Sequence, residues 1–208
     1  MRKRDIALAA VEGLEKLYPE AICSLNYTDA FQLLVATRLS AQCTDARVNL
    51  VTPKLFARFP DAQSMANADL GEVEELIKTC GLYKTKARDL IEIGKKITAD
   101  FGGKVPDTIE ELTTLSGVGR KTANLVLGDI YGKPAVVCDT HFIRLSNRLG
   151  LVKTKDPLKV ENEMRKLLPP ERSSDFCHRA VLFGRDICTA RKAYCERCPI
   201  SQYCPKKI

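Results

Sequence analysis

The chain has 208 residues, 45% of them hydrophobic, and 33 Lys and Arg against 26 Asp and Glu give a formal charge of +7. That is enough apolar material for one domain or two small ones with a real core, and no run approaches the roughly 18 apolar residues of a spanning helix, so a membrane protein is not expected. The positive charge suits a polyanionic partner without requiring one.

Met1-Arg2-Lys3-Arg4 is basic, but Asp5, Glu12 and Glu15 interrupt the next stretch and no small-residue cleavage site appears, so the segment reads as an amphipathic helix of an intracellular protein. Ala7, Val11, Leu14 and Tyr18 share its inner face, with Ile6, Ala10 and Leu17 widening it, and Pro19 ends the run. Asp29 with Gln32 is a capping-box signature before Phe31, Leu33, Leu34, Val35 and Leu39, a helix apolar nearly all round and therefore buried. Thr44-Asp45 starts a helix through Phe59, Asp61 a short one, and Asp69 with Glu72 another before Val73, Leu76 and Ile77. After a break at Cys80-Gly81-Leu82-Tyr83, residues 84–101 repeat the apolar spacing with Leu90, Ile93 and Ile97 until Gly102-Gly103 stops them.

Asp107 with Glu110 predicts a short helix over 108–114, and Lys121 to Leu127 has helical spacing again, so Leu115-Ser116-Gly117-Val118-Gly119-Arg120 is a tight hairpin between two helices. Glycine at 117 and 119 permits positive φ and leaves backbone N–H groups free to approach an anion at the second helix's start. Because the glycines follow a helix and not a strand, the context favours a DNA backbone over a mononucleotide. Ala135-Val136-Val137-Cys138 is the only strand-like stretch, and Asp139 in Asp139-Thr140-His141 is placed to cap the next helix, which runs through Leu149. Asp156-Pro157 begins another with Val160, Met164, Leu167 and Leu168, and a last one spans about 173–188. The fold class is all-α, with no internal repeat or long linker.

Cys188, Cys195, Cys198 and Cys204 are separated by six, two and five residues, a compact all-thiolate set. Nine cysteines and no secretory signal make disulfides the poorer reading, while spacing alone leaves structural zinc and an iron–sulfur cluster equally open. Cys23, Cys43, Cys80, Cys138 and Cys177 lack such spacing and read for the most part as small buried thiols without assigned chemistry.

Leu115 to Asn124, Val137 to His141 and the C-terminal cysteines together closely resemble the endonuclease III family of helix-hairpin-helix DNA glycosylases, over nearly the whole chain. Ser116 departs from the family's usual proline, which implies a less rigid hairpin, and Cys138 and Phe142 stand where aliphatic residues are usual. The resemblance implies a six-helix domain over 21–132 containing the hairpin, and a discontinuous domain of 1–20 plus 133–208 ending in a cluster loop, with DNA in the cleft between. It decides for one [4Fe-4S] cluster on Cys188, Cys195, Cys198 and Cys204, structural in role, with Arg191 and Lys192 projecting toward DNA phosphates.

By the same resemblance Gln42 and Leu82 fill the gap left by an extruded base, Gly117, Val118, Gly119 and Arg120 form the phosphate-binding hairpin, and His141 lines the pocket. Lys121 is implied to be the nucleophile that attacks the deoxyribose C1′ and leaves a Schiff base for β-elimination. A free lysine has a pKa of about 10.4; the helix start, Arg120 and burial in a cleft are expected to disfavour the ammonium of Lys121. Asp139, kept ionised by N–H groups of its helix, would stabilise the positive sugar as the base leaves.

The expected function is a bifunctional DNA glycosylase and abasic-site lyase removing oxidised pyrimidines from damaged double-stranded DNA, acting as a cytoplasmic monomer, nucleoid-associated if bacterial. A monofunctional mismatch glycosylase is the rival among enzymes, disfavoured by Lys121 and by the expectation of no extra C-terminal recognition domain. A non-catalytic helix-hairpin-helix DNA-binding protein with a structural metal is the rival outside them, and it has no need of Lys121 with Asp139.

Overall fold

The structure is a computed structural model describing residues 1–206. In chain order its helices are α1 (Lys3–Leu17), α2 (Ala30–Ser40), α3 (Asp45–Arg58), α4 (Ala62–Ala66), α5 (Leu70–Leu76), α6 (Tyr83–Phe101), α7 (Ile109–Leu112), α8 (Arg120–Asp129), α9 (Thr140–Arg148), α10 (Pro157–Met164) and α11 (Ser173–Asp186), and the described residues contain no strand. No helix among them is long and apolar enough to cross a membrane. The chain divides into two compact units, Cys23–Tyr131 and Met1–Ile22 with Gly132–Ile208.

In the unit Cys23–Tyr131, α2 is central because it has no polar face. Phe31, Leu33, Leu34, Val35, Ala36 and Leu39 are all buried, and the helix packs on α3, α6 and α8. Asp29 caps it by accepting from Gln32 N at 2.9 Å, while the Gln32 side chain accepts from Thr28 N at 3.1 Å. Thr44, Asp61 and Asp69 cap α3, α4 and α5 in the same way, each accepting from the N–H three residues on. α4 lies against α6 closely enough that a Cβ at Gly94 would stand 2.7 Å from Ala66 N, so only glycine permits this crossing.

The cap before the hairpin falls one residue later than the Asp107 expectation. Thr108 caps α7, accepting from Glu111 N at 3.2 Å and donating to Glu111 Oε2 at 2.7 Å. α7 also stops short of residue 114, because Thr114 N and Leu115 N bond back to Glu111 and Leu112 and tighten the chain into the turn.

In the other unit, α1 lays Ala7, Ala10, Val11 and Leu14 on α11, whereas Leu17, expected to widen that face, is exposed at the helix end. The buried guanidinium of Arg179 draws in the segment after α1, donating to Tyr18 O at 3.0 Å and Pro19 O at 3.3 Å. α9 packs on α11, with Phe142 edge-on to Phe176 at 6.0 Å between centroids, which gives the aromatic residue at 142 a partner. Residues 135–138 do not form the expected strand. Ala135 N donates to Ser173 Oγ and Val137 N to Cys177 Sγ, each at 3.2 Å, so side chains of α11 occupy the place of a strand partner for this buried segment.

Candidate functional site

The hairpin between α7 and α8 turns its two apolar residues inward and its glycines outward. Leu115 and Val118 are buried, whereas Gly117 and Gly119 are exposed. Only Gly117 has positive φ, at 66°, and a Cβ there would meet Arg38 Nε at 2.3 Å. Gly119, expected to share that freedom, is extended with φ −97° and has open space where a Cβ would sit. It is the N-cap of α8 and offers no side-chain acceptor to the helix's first N–H groups, which suits an external anion.

Ser116 corrects the expectation of a loose hairpin. Its hydroxyl donates to Asp89 Oδ1 at 2.6 Å, and Asp89 Oδ2 accepts from Arg38 Nε at 2.9 Å, so the turn is tied to α6 and through it to α2. Both members of the ion pair are largely buried, with side chains 11% and 15% exposed. Ser116→Ala leaves a carboxylate lone pair without its donor and is expected to cost about 1–3 kcal/mol, measured by urea unfolding and accompanied by weaker DNA binding.

Lys121 and Arg120 occupy the first turn of α8 and both side chains are exposed. The helix start and the neighbouring cation are therefore as expected, but the burial invoked to discharge Lys121 is not present in the chain itself.

Gln42 and Leu82 lie on two turns that touch: a Cβ at Gly81 would stand 3.2 Å from Gln42 O. Both are non-glycine residues in left-handed conformation, with φ 55° and 59°. Such backbone costs roughly 1–3 kcal/mol and persists where its surroundings fix it. Leu82 is 57% exposed, so it does not cover core. Beneath the turns, the fully buried Lys86 donates from Nζ to Leu39 O at 2.8 Å, joining the start of α6 to the end of α2, and burial pushes its pKa down.

In the other unit Asp139 caps α9, its Oδ1 accepting from Phe142 N at 2.7 Å. His141 is half-buried against α11, where a Cβ at Gly184 would lie 2.6 Å from its Nδ1, and it shares a 3.2 Å hydrogen bond with Arg144 Nη2.

Cys188, Cys195, Cys198 and Cys204 line one pocket together with Phe183, Tyr194 and Ile200. The loop is held from both sides. Ile200 is buried with Cγ2 where a Cβ at Gly13 of α1 would stand, 2.5 Å away, and Arg148 Nη1 donates to Thr189 O at 2.7 Å and to Cys188 Sγ at 3.3 Å. Arg144 donates to Cys188 O at 2.9 Å. Cys188 and Ala193 bridge antiparallel, which puts Arg191 and Lys192 on an exposed turn, with the Lys192 ammonium 4.7 Å from the Tyr194 ring centroid. Burial pushes the Cys198 and Cys204 thiols above their ordinary value. The four thiols share that pocket, although among the described residues no group of three or more His, Cys, Asp or Glu is set to hold a metal ion.

Sequence reasoning missed Arg38, Asp89, Lys86, Arg144 and Arg148, the residues that hold these turns. The available signal was a charge on an apolar face: Lys86 stands four residues before Leu90 on the buried side of α6.

Residues 35–170 match the family described as HhH-GPD superfamily base excision DNA repair protein. The chain is 50% identical over 204 residues to endonuclease III of Synechocystis sp. (98% of this chain, 93% of that one) and 42% identical over 195 residues to endonuclease III of Bacillus subtilis (93% and 89%). The structure of a trapped endonuclease III–DNA covalent intermediate superimposes with a TM-score of 0.90 at 39% identity, covering 99% of this chain and 97% of that one. The match over 35–170 and the near full-length identity to these relatives place the chain in the HhH-GPD superfamily and, within it, in the endonuclease III family of base excision DNA repair enzymes.

Proposed function

We propose that this chain removes oxidised pyrimidines from damaged double-stranded DNA and cleaves the resulting abasic site, with Lys121 as the nucleophile. Combined glycosylase and abasic-site lyase activity follows from membership of the endonuclease III family. The observation that carries the assignment of Lys121 is an exposed primary amine in the first turn of the helix that the glycine hairpin opens. An enzyme trapped covalently on DNA, as that relative is, needs a nucleophile, and an amine there follows directly on backbone suited to a phosphate.

In this reading the neutral Lys121 amine attacks C1′ as the glycosidic bond breaks, and the base leaves with the bonding electron pair and takes up a proton. The nitrogen, after losing a proton, expels O4′, which takes up a proton as the C1′–O4′ bond breaks; the ring-opened iminium then loses a C2′ proton, and the C3′–O bond breaks with the 3′ phosphate leaving with its electron pair. The carboxylate of Asp139 stabilises the positive charge that develops on the sugar. Gln42 and Leu82 occupy the space of the extruded base, a role supported by their exposure and by adjacent turns that fix both backbones. Gly117 to Arg120, together with Arg191 and Lys192, contact phosphates, and His141 acts from the pocket wall. The enzyme works as a monomer on chromosomal DNA in the cytoplasm.

Cys188, Cys195, Cys198 and Cys204 hold one [4Fe-4S] cluster. A soft four-thiol set lining one pocket suits zinc or an iron–sulfur cluster, and the family resemblance favours the cluster. When bound, the cluster supplies rigidity to the loop that carries Arg191 and Lys192.

The reading is tested on duplexes carrying thymine glycol, with Asp139→Asn for comparison. Wild type should incise the lesion strand. Asp139→Asn, which still caps a helix, should bind equally well and incise more slowly by about 10²–10³-fold. Wild-type binding with no incision of any lesion would favour the non-catalytic reading.

A further inference from the structure

The two turns that carry Gln42 and Leu82 also carry a pair of cysteines that no part of the proposed chemistry uses. Cys43 follows Gln42 and Cys80 precedes Gly81-Leu82, so the two cysteines flank the close contact in which a Cβ at Gly81 would stand 3.2 Å from Gln42 O. Cys80 is 1% exposed, while Cys43 is half-exposed, so an oxidant in solution meets Cys43 first. Two cations attend the pair: the buried Lys86 ammonium acts electrostatically on both thiols, and Arg47 acts on Cys80. Burial pushes Cys80 up to about 11 and leaves it unreactive as a first target.

We propose that Cys43 and Cys80 are a redox modification site that closes to a disulfide under peroxide and so restrains the two turns that enter DNA. The effect on activity rests on the reading of Gln42 and Leu82 given above; the chemistry does not. Cys43 sulfur attacks one peroxide oxygen and becomes a sulfenic acid, releasing one water. Cys80 sulfur then attacks the Cys43 sulfur and expels the second water, so one peroxide takes two electrons and two thiol protons are accounted for. Bond formation draws the turns closer where Gly81 already lies tight against Gln42 O, so neither tip can adjust as a base is extruded.

The test uses the full-length, cluster-loaded protein treated with hydrogen peroxide and then alkylated, with cluster absorbance followed throughout. Peptide mapping should find a 43–80 linkage, and thymine glycol incision should fall about tenfold, the scale set by a small misplacement near reacting groups. Cleavage of a pre-formed abasic site, where less unstacking remains, should fall less, and dithiothreitol should restore both. Cys43→Ser should match the reduced wild type and resist peroxide. Absence of the linkage after Cys43 is oxidised, a linkage that leaves incision unchanged, or an equal loss in Cys43→Ser would overturn the proposal. A reduced protein that incises nothing would instead overturn the glycosylase reading and the control built on it, with the linkage still judged by mass alone.

Discussion

Lys121→Gln is expected to lower thymine glycol incision by about a thousandfold or more while leaving duplex affinity nearly unchanged. Glutamine keeps comparable length and polarity but has no amine to attack C1′, so base removal through a covalent intermediate is lost. Affinity survives because the hairpin offers phosphate its backbone N–H groups, and Lys121 lies outside the Ser116–Asp89–Arg38 ties that hold the hairpin. Gel-shift titration with single-turnover incision separates the two quantities. A parallel fall in both would reduce Lys121 to a phosphate contact.

The second large effect is expected at the thiol loop. Anaerobically purified protein should contain about four irons per chain, and Cys198→Ser should lower that content together with soluble yield and thermal stability. The loop's own fixings are few: Ile200 against Gly13, and the guanidinium groups of Arg144 and Arg148 on the backbone around Cys188. Without a bound group, four thiols facing one pocket gain nothing from converging. Cys23→Ser, at a half-buried cysteine outside the loop, should leave iron content unchanged. Stoichiometric zinc without iron would contradict the cluster.

Most of the helical framework was legible because its signals are local. Asp29, Thr44, Asp61, Asp69, Asp139 and Asp156 each accept from an N–H three residues ahead, a relation written in adjacent sequence. The apolar circumference of α2 likewise announced its burial. What failed depended on distant partners. The ties of Ser116 and Arg38 to Asp89 join residues 27 and 51 apart, so replacement of proline looked like loosening when it was an exchange of one restraint for another. The apolar run at 135–138 read as a strand, yet the N–H groups of Ala135 and Val137 donate to side chains of α11. The left-handed backbones of Gln42 and Leu82 carry no glycine to mark them.

The central claim is that the Lys121 amine forms the covalent bond to sugar, and borohydride trapping reads that bond directly, since only a Schiff base is reduced to a stable protein–DNA adduct. Wild type incubated with thymine glycol duplex, or with an abasic duplex, should yield an adduct whose nuclease-trimmed sugar remnant maps by mass spectrometry to the peptide containing Lys121. A remnant on another residue, or wild-type incision of thymine glycol with no trapped adduct, would contradict the account.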